Sequence, residues 1–496
     1  MSLSTVFVEN FFRINAKFIC ECGKMSLILQ SESITSNFMS NSKNLQQPVF
    51  DARTLGKPKM FTLGLQHMFA MFGATVLVPA ITGLPVSTTL LFAGIGTLLF
   101  HLITKFKVPA FLGSSFAFIG GYLAVVEMGG SFGLTATQSL PYACIGVASA
   151  GFLYFILAAL FAAFGARKVM KFFPPVVTGP IIICIGLILS GSAIQNCQTN
   201  WWVALLAIVI IVVCNIWGRG MIRIVPILLG VLGSYLVAAI CGDCDFTAVK
   251  EAAWIGLPIH KANTVLSVLE TRNWELLSSA IITIMPIALA TMIEHIGDMC
   301  AISSTTGENY LENPGLHRTL VGDGLATTLA SLFGGPANTT YGENTGVLAL
   351  TRVYDPRVIR IAAYFAVAVS FFPIVSVIIG SIPSCIIGGI SFVLYGMISA
   401  IGVRNVVENK VDFTKSRNLI VAAVILVCAL GLSSDTVSFT IGSAAITLSP
   451  LAVASIAGIV LNAVFPGKDY KFDTEDVADA VNFEKEVKPK EKKEKK

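Results

Sequence analysis

The sequence has few charged residues for its length. Only 13% of its 496 residues are Asp, Glu, Lys or Arg, whereas soluble domains carry about 25%. A protein of this size in water needs a larger polar surface, so a soluble globular protein is excluded. The eleven cysteines lack the spacing of a disulfide framework, since most lie inside apolar stretches. No grouping of nucleophilic or metal-binding residues is apparent, so we expect neither an enzyme nor a bound cofactor.

Long apolar stretches make up most of the chain. Hydrophobic residues account for 54% of it, and the mean hydropathy is +0.77. A helix of about 20 apolar residues crosses the ~30 Å hydrocarbon core of a bilayer. We therefore expect an all-α polytopic membrane protein with fourteen membrane segments. These are residues 60–80, 88–104, 109–126, 142–165, 174–192, 201–217, 224–241, 279–299, 319–334, 338–352, 357–374, 382–401, 418–433 and 444–464.

The distribution of Lys and Arg supports an even number of segments with both ends in the cytoplasm. The charged end of the chain, residues 466–496, reads as a cytoplasmic tail, and residues 1–57 lack a secretory signal and read as a cytoplasmic extension. Of the opposite loops, only the long extracellular loop 243–278 carries basic residues. The basic residues of the predicted cytoplasmic loops are Lys105, Lys107, Arg167, Lys168, Lys171, Arg219, Arg223, Arg318, Arg352, Arg357, Arg360, Arg404, Lys410, Lys415 and Arg417.

The two halves of the chain resemble each other faintly. Pro174 and Gly179 open the fifth segment at the same spacing as Pro383 and Gly388 in the twelfth. Because seven is an odd number, two repeats of seven segments must be inverted in the membrane. Inverted repeats are typical of secondary transporters, whose binding sites lie near the midplane where corresponding segments are interrupted.

The third and tenth segments are interrupted in this way. They begin VPAFLGSSFAFIGG and GGPANTTYGENTG, where Pro, Gly and small polar residues disfavour a continuous helix. Unwound backbone at membrane depth is tolerated only where protein or a water-filled cavity covers it. We therefore expect a binding site between these two segments, although two kinked, well-packed helices would also fit the pattern.

Carboxylates in membrane segments mark functional sites because burying a charge is costly. Glu294 and Asp298 are four residues apart and share one helix face, while Glu343 lies in the interrupted tenth segment. Two like charges this close favour one of them holding a proton. Asp298 also fits a hydrogen bond between helices, and His67, beside Gln66, fits such a network better than contact with a ligand.

These residues suit a flat, polar, neutral heterocycle. A carboxylate accepts hydrogen bonds from ring N–H groups, and a protonated carboxyl donates to a ring carbonyl. Phe116 of the third segment could stack on the ring. A carboxyl that changes protonation also supplies H⁺ as the coupling ion. No metal site is expected, since Glu294 and His295 point about 100° apart around a helix.

The motifs carry a resemblance to a known family. ENTGVLALTR fits the signature [Q/E]-N-x-G-x4-T-[R/G], and QHMFAMFGATVLVP, GSSFAFI, EHIGD, NPGLHR and NTTYGEN occur in the same order as in the family. From about residue 58 to 465 the chain resembles the nucleobase–ascorbate transporters (nucleobase:cation symporter 2), in particular bacterial uracil permeases. The resemblance implies proton-driven uracil uptake into the cell. It also suggests a homodimer.

The resemblance further implies fourteen segments in two inverted sevens, with short antiparallel strands in segments three and ten. A core formed by residues 58–171 and 279–376 would carry the substrate, and a gate formed by residues 172–242 and 377–465 would face it. The implied substrate-binding residues are Glu294, Glu343, Phe116, Ala74, Tyr341 and Gly342. Those implied in proton coupling are Glu343, Asp298 and Glu294, with Gln66, His67 and Asn344 in support.

One difference from the family keeps the substrate open. The uracil permeases read EHIGH, with a second His linked to proton coupling where this chain has Asp298, and an acid there occurs in purine-transporting relatives. Glu343 matches the uracil type. The alternatives are therefore a xanthine or uric acid permease of the same family, an anion transporter of the sulfate type, which the acidic site disfavours, and a non-transporting membrane receptor. The expected location is the plasma or inner membrane, with the lipid bilayer and no nucleic acid as partner.

Overall fold

The computed structural model describes residues 48–432, 437–441 and 444–467. Most of the N-terminal extension and of the charged tail lies outside these residues. The cytoplasmic location of the two ends therefore stays a prediction.

Helices make up most of the described chain. The longer helices are α1 (Lys57–Thr82), α2 (Val86–Ile103), α3 (Ile119–Ser131), α4 (Ala136–Phe164), α5 (Pro175–Cys197), α6 (Trp201–Ile216), α7 (Pro226–Cys241), α8 (Trp274–Ile284), α9 (Ala288–Thr306), α10 (Leu316–Leu332), α11 (Gly342–Thr351), α12 (Pro356–Ser370), α13 (Pro373–Gly380), α14 (Ser384–Glu408), α15 (Ser416–Gly431) and α16 (Pro450–Val464). The strands are β1 (Leu112–Ser114), β2 (Asn338–Thr340), β3 (Val437–Ile441) and β4 (Ala444–Leu448). Short helical turns occupy Ala52–Leu55, Ala166–Val169, Met170–Phe172, Met221–Ile224, Thr247–Glu251, Lys261–Asn263, Val265–Ser267, Val268–Thr271, Met285–Ile287 and Leu311–Gly315.

Several of these helices have the length and composition of membrane spans. In the described part of the chain, six pass this test, counting α8 and α9 together, and the bent pair α12–α13 makes up to seven. Four shorter apolar helices, α6, α7, α15 and α16, are also present. The protein is therefore a helical multi-pass membrane protein, while the exact count of fourteen segments stays a prediction.

The two interrupted segments meet through their backbones. β1 pairs with β2 in antiparallel register, with Gly113 opposite Thr339. Each strand leads towards a helix, α3 after β1 and α11 after β2. The pairing satisfies backbone N–H and C=O groups that a broken helix would otherwise leave without partners inside the protein.

The helices pack in two groups around this strand pair. In one group, α4 packs on α10, α2 on α10 and α12, and α1 on α12. In the other, α5 packs on α14 and α15, α6 on α7 and α14, and α15 on α16. Helix α9 contacts members of both groups, α4 as well as α5 and α16.

The eleventh predicted segment is not one straight helix. We expected a span over 357–374, but α12 ends at Ser370 and α13 begins at Pro373 after a bend of 83°. Pro373 has no N–H to continue the helix and disfavours helical backbone at Phe372, whose φ and ψ are −108° and 90°. The continuous span was therefore wrong.

The last predicted segment begins later than expected. Residues 444–448 form strand β4, paired with β3, and α16 starts only at Pro450. The Ser449 side chain accepts from the Ala452 N–H and caps this helix, and a proline suits its first position. The eighth segment is also interrupted, because Pro286 lies in a tight turn between α8 and α9.

Candidate functional site

A large cavity opens at the centre of the protein. Its volume is about 1410 Å³. Phe116 and the carboxyls of α9 and α11 line its inner part, whereas Ile398 and Ile401 of α14 lie on its wall. The cavity therefore lies between the two groups of helices and next to the strand pair.

Helix α9 brings two carboxyl groups to the cavity. Glu294 and Asp298 are half-buried, and both line it, as their spacing on one helix face predicts. The Glu294 carboxyl lies near enough to Asp298, Glu343 and Asp323 to interact with them electrostatically. Its Oε2 atom is buried without a hydrogen-bond partner. An unpartnered buried carboxyl oxygen facing a cavity is suited to bind a donor group of a ligand.

The start of α11 brings the third carboxyl. The helix begins at Gly342 immediately after Tyr341, so Glu343 lies in its first turn. The first backbone N–H groups of a helix have no acceptor within it. Gly342, Glu343 and Tyr341 all line the cavity. This short segment thus offers hydrogen-bond donors as well as a carboxyl group.

A hydrogen bond ties Asp298 to the strand that precedes α11. The Thr340 hydroxyl donates to Asp298 Oδ2 at 2.7 Å. Asp298 therefore lines the cavity and also joins α9 to β2, which combines the two roles that the sequence left open.

The Tyr341 side chain points away from the cavity. Its hydroxyl donates to the Ser114 carbonyl at 2.9 Å and lies 3.3 Å from the Thr75 Oγ1 atom. The ring packs so closely on Gly113 that a Cβ atom there would lie 2.5 Å from it. Tyr341 thus fastens β1, β2 and α1 together, and only its backbone is placed to contact a ligand.

Phe116 contacts an aromatic residue that the sequence analysis did not identify. The Phe116 ring is edge-on to the Tyr395 ring of α14, with centroids 6.1 Å apart. The Tyr395 hydroxyl is buried without a hydrogen-bond partner. An isolated Tyr in an apolar helix carries no signal in the sequence that links it to Phe116.

Four of the expected site residues lie outside the cavity lining. Ala74, Gln66 and His67 are buried in α1, and Ala74 and His67 have no exposed surface. Asn344 Nδ2 lies 3.3 Å from His67 Nδ1 and donates to the His67 carbonyl at 3.4 Å. Asn344 therefore joins α11 to α1, which agrees with a supporting position rather than contact with a ligand.

A further buried carboxyl lies behind the cavity. His295 Nδ1 is 2.9 Å from Asp323 Oδ2, and neither side chain has exposed surface. Asp323 lies in α10, inside the predicted ninth segment. The sequence analysis overlooked it, although the rule that singled out Glu294, that a carboxylate in a span needs an explanation, applies equally to Asp323.

Comparisons with known proteins identify close relatives. The model of a permease family, Xan_ur_permease, matches residues 58–438. The uracil permease of Bacillus caldolyticus is 39% identical over 439 residues, which cover 86% of this chain and 96% of that protein. The uracil permease of Escherichia coli K12 is 38% identical over 414 residues, covering 81% and 90%.

Two solved structures share the fold at low identity. The transmembrane domain of the cyanobacterial bicarbonate transporter BicA matches with a TM-score of 0.54 and 16% identity, covering 83% of this chain and 99% of that one. The structure of SLC26A9 matches with a TM-score of 0.58 and 12% identity, covering 88% and 69%. At these identities the likeness concerns the fold alone. The family match and the relatives show that the chain belongs to the Xan_ur_permease family of permeases and is a membrane transport protein.

Proposed function

We propose that this protein is a proton-coupled symporter that imports uracil by alternating access. The observation that carries the proposal is the position of Glu294 and Glu343, which come from two different helices and line one cavity together with Phe116. The names of the relatives, uracil permeases of several bacteria, favour uracil among flat heterocycles.

The chemistry of the cavity matches the edges of a pyrimidine. Uracil has two ring N–H donors and two carbonyl acceptors. An ionised Glu accepts from an N–H, and a protonated Glu or a free backbone N–H at the start of α11 donates to a carbonyl. Glu294 and Glu343 would hold the two sides of the ring, with Gly342 and the Tyr341 backbone beside it. Phe116 would contact the face of the ring.

Coupling to protons would use the same carboxyl groups. Glu343, Asp298 and Glu294 lie close together, and the described residues place no Lys or Arg in an ion pair with any of them. Three neighbouring carboxyls repel one another when all are ionised. A proton taken up by one of them would relieve that repulsion, so binding of substrate and of H⁺ favour each other.

Alternating access would move the two groups of helices against each other. In this proposal residues 58–171 and 279–376 form the substrate-carrying core, and residues 172–242 and 377–465 form the gate, as two inverted repeats of seven segments. The cavity extends to Lys171, Arg404 and Lys410, which the charge distribution assigns to the cytoplasm. On the other side, apolar residues such as Val76, Val231 and Ile382 close around only a narrow gap. This arrangement corresponds to an inward-open state.

A purine substrate remains the second candidate. Asp298 lies on the cavity wall, where the uracil permeases of the resemblance have His, and its carboxyl could bind an additional ring N–H of xanthine or uric acid. An anion transporter, which the bicarbonate transporter fold could suggest, is disfavoured because three carboxyls line the cavity.

Purified protein in liposomes provides the test. With a proton gradient directed inward, we expect the vesicles to accumulate uracil, and excess xanthine to compete weakly. Glu343→Gln should still exchange internal for external uracil but should no longer accumulate it along the gradient. Glu127→Gln on α3 is the matched control, because Glu127 is exposed and outside the cavity lining.

Two results would contradict the proposal. Uracil uptake that ignores the proton gradient in the native protein would exclude proton coupling, and xanthine uptake that excess uracil leaves untouched would make the purine reading correct. Accumulation by Glu343→Gln that still follows the gradient would move the coupling role to Glu294 or Asp298.

A further inference from the structure

The long loop between α7 and α8 carries large apolar side chains that no protein residue covers. The exposed fractions are 72% for Trp254, 77% for Ile255 and 74% for Leu257. No charged residue occurs in 252–259, whereas Lys250 and Glu251 before it and Lys261 after it are charged. Exposed apolar groups of this size mark surfaces that contact another molecule or a membrane.

Packing within the protein fixes the loop and leaves these side chains outside. The neighbouring Pro258 is buried, and its carbonyl accepts from the Thr88 hydroxyl of α2. Ile259 packs inward against Leu91 and Phe92 of α2. The loop is therefore anchored by one set of residues, and the exposure of Trp254, Ile255 and Leu257 does not result from a loose segment.

The same loop is joined to the end of α12. The Gly256 N–H donates to the Phe371 carbonyl at 3.0 Å, and Gly256 lies against the Pro373 ring, where a Cβ atom would be 2.7 Å from it. Phe371 and Phe372 are 37% and 41% exposed. The loop residues and these two Phe residues together form one apolar patch at the bend between α12 and α13, which we call the loop patch.

The loop patch continues the outer surface of α12. Tyr364, two turns before the bend, is 57% exposed on that helix. An exposed apolar surface of a membrane-spanning helix faces lipid, so the patch begins where lipid-facing surface ends. The backbone of an irregular loop needs water or protein for its hydrogen bonds, which excludes the hydrocarbon centre. Trp combines a large apolar ring with one N–H donor and is enriched at the boundary between hydrocarbon and headgroups.

We propose that the loop patch, Trp254, Ile255 and Leu257 with Phe371 and Phe372, is an interfacial anchor that inserts into the headgroup boundary of the lipid bilayer. The occupant is lipid rather than a second copy of the chain, because the patch is continuous with the lipid-facing side of α12. The anchor holds the connection between the two halves of the chain against the membrane surface.

Tryptophan fluorescence of the full-length protein in phosphatidylcholine liposomes tests this position. The contribution of Trp254 is the difference between the native protein and Trp254→Phe, a conservative change at an exposed site. We expect this contribution to lose most of its intensity with lipids brominated near the headgroup, less with lipids brominated near the chain end, and little with aqueous iodide. Its emission maximum should shift to longer wavelength when the protein is moved from liposomes into mild denaturant.

Two further variants keep the test decisive. In the Trp254→Phe background, Ile255→Trp should reproduce the lipid quenching, whereas Lys250→Trp, on the charged side of the same loop, should respond to iodide. Strong iodide quenching of Trp254 without lipid quenching would overturn the proposal. Protection from both quenchers, with cross-linking between Leu257→Cys copies above the level of the native protein, would also overturn it and assign the patch to a second copy.

Discussion

The two interrupted segments reach the centre of the protein with the same backbone device and then differ in chemistry. β1 and β2 have three residues each and pair directly. After β2, helix α11 starts within two residues and brings Glu343 in its first turn. After β1, Ser115, Phe116, Ala117 and Phe118 intervene before α3 starts at Ile119. One segment thus supplies a carboxyl at a helix start, and the other an aromatic wall.

This difference indicates how a repeated fold can build an asymmetric site. The strand pairing supports both segments and leaves their following residues free to differ. A ring-shaped ligand needs hydrogen bonds along its edge and apolar contact on its face, and each segment is placed to provide one of these. We therefore expect substitutions after β2 to affect binding most, and substitutions within the strand pair to affect stability.

The largest expected effect follows removal of the carboxyl after β2. Glu343→Ala should weaken uracil binding roughly ten- to a hundredfold, since a hydrogen bond to a charged group contributes about 1.5–3 kcal/mol. Titration calorimetry on the purified protein measures the Kd. Glu127→Ala on α3 is the counterpart in the other segment, and its exposed side chain lies outside the cavity lining. Equal losses in the two variants would show that the comparison is wrong.

Two glycines separate the strand pair from the cavity. Gly113→Ala should destabilise the protein, because the added Cβ would lie 2.5 Å from the Tyr341 ring and 2.8 Å from Thr75 Oγ1. Overpacking of this kind costs about 1–3 kcal/mol. Gly346→Ala on α11 is the control, since nothing lies within 4 Å of its Cβ position.

Thermal unfolding in detergent distinguishes these two glycine variants. We expect a clear decrease in Tm for Gly113→Ala and none for Gly346→Ala, because alanine also favours a helix. Similar unfolding temperatures for both would mean that Tyr341 can move away from Gly113 without loss of stability.

A smaller effect is expected at the aromatic wall. Phe116→Leu keeps an apolar side chain but removes the ring, whose stacking contributes about 0.5–1.5 kcal/mol, so the Kd should increase roughly two- to tenfold. Phe132→Leu at the far end of α3 is the control, with a side chain that is 42% exposed. An unchanged Kd for Phe116→Leu would remove Phe116 from the site and leave β1–α3 with a purely structural part.

The sequence predicts those features of the site that have a local cause. Pro and Gly after a span indicate the interruptions, and the cost of a buried charge singles out Glu294, Asp298 and Glu343. All three carboxyls line the cavity, as do Phe116 and the Tyr341–Gly342 backbone. Asp323 carries the same signal and was overlooked. The bend at Pro373 also had a local signal, since the residue before a proline disfavours the helix.

Contacts between distant residues carry no such signal. The Thr340–Asp298 hydrogen bond and the Phe116–Tyr395 contact depend on how helices far apart in the chain come together. The orientation of Tyr341 towards Thr75 and Ser114 is likewise set by the strand pairing. The separation of lining residues from supporting ones, Ala74 and His67 among the latter, therefore requires the three-dimensional structure.

The far end of α11 is tethered in a way that gives the smallest expected effect. The Val49 N–H donates to the Arg352 carbonyl at 2.9 Å, just after α11 ends. Next to this contact, Asp51 binds Arg53 and Arg357. The hydrogen bond from the Arg53 side chain, with the Arg53 backbone N–H, lowers the pKa of the exposed Asp51 from 3.8 to about 2.

The tether is tested by the pH dependence of unfolding. A carboxyl with a lowered pKa stabilises the folded state above the unfolded-state pKa, and this contribution is lost as the pH falls through the folded-state pKa. The unfolding temperature of Asp51→Asn should therefore be slightly below that of the native protein above pH 3.8, and the difference should vanish as the pH decreases to about 2. Asp245→Asn, in the loop after α7, is the control for a similar exposed Asp that does not contact the α11 end. A difference that persists below pH 2 would mean that the Asp51 carboxylate does not stabilise the tether, and that α11 is held at its far end by the backbone contacts of Val49 alone.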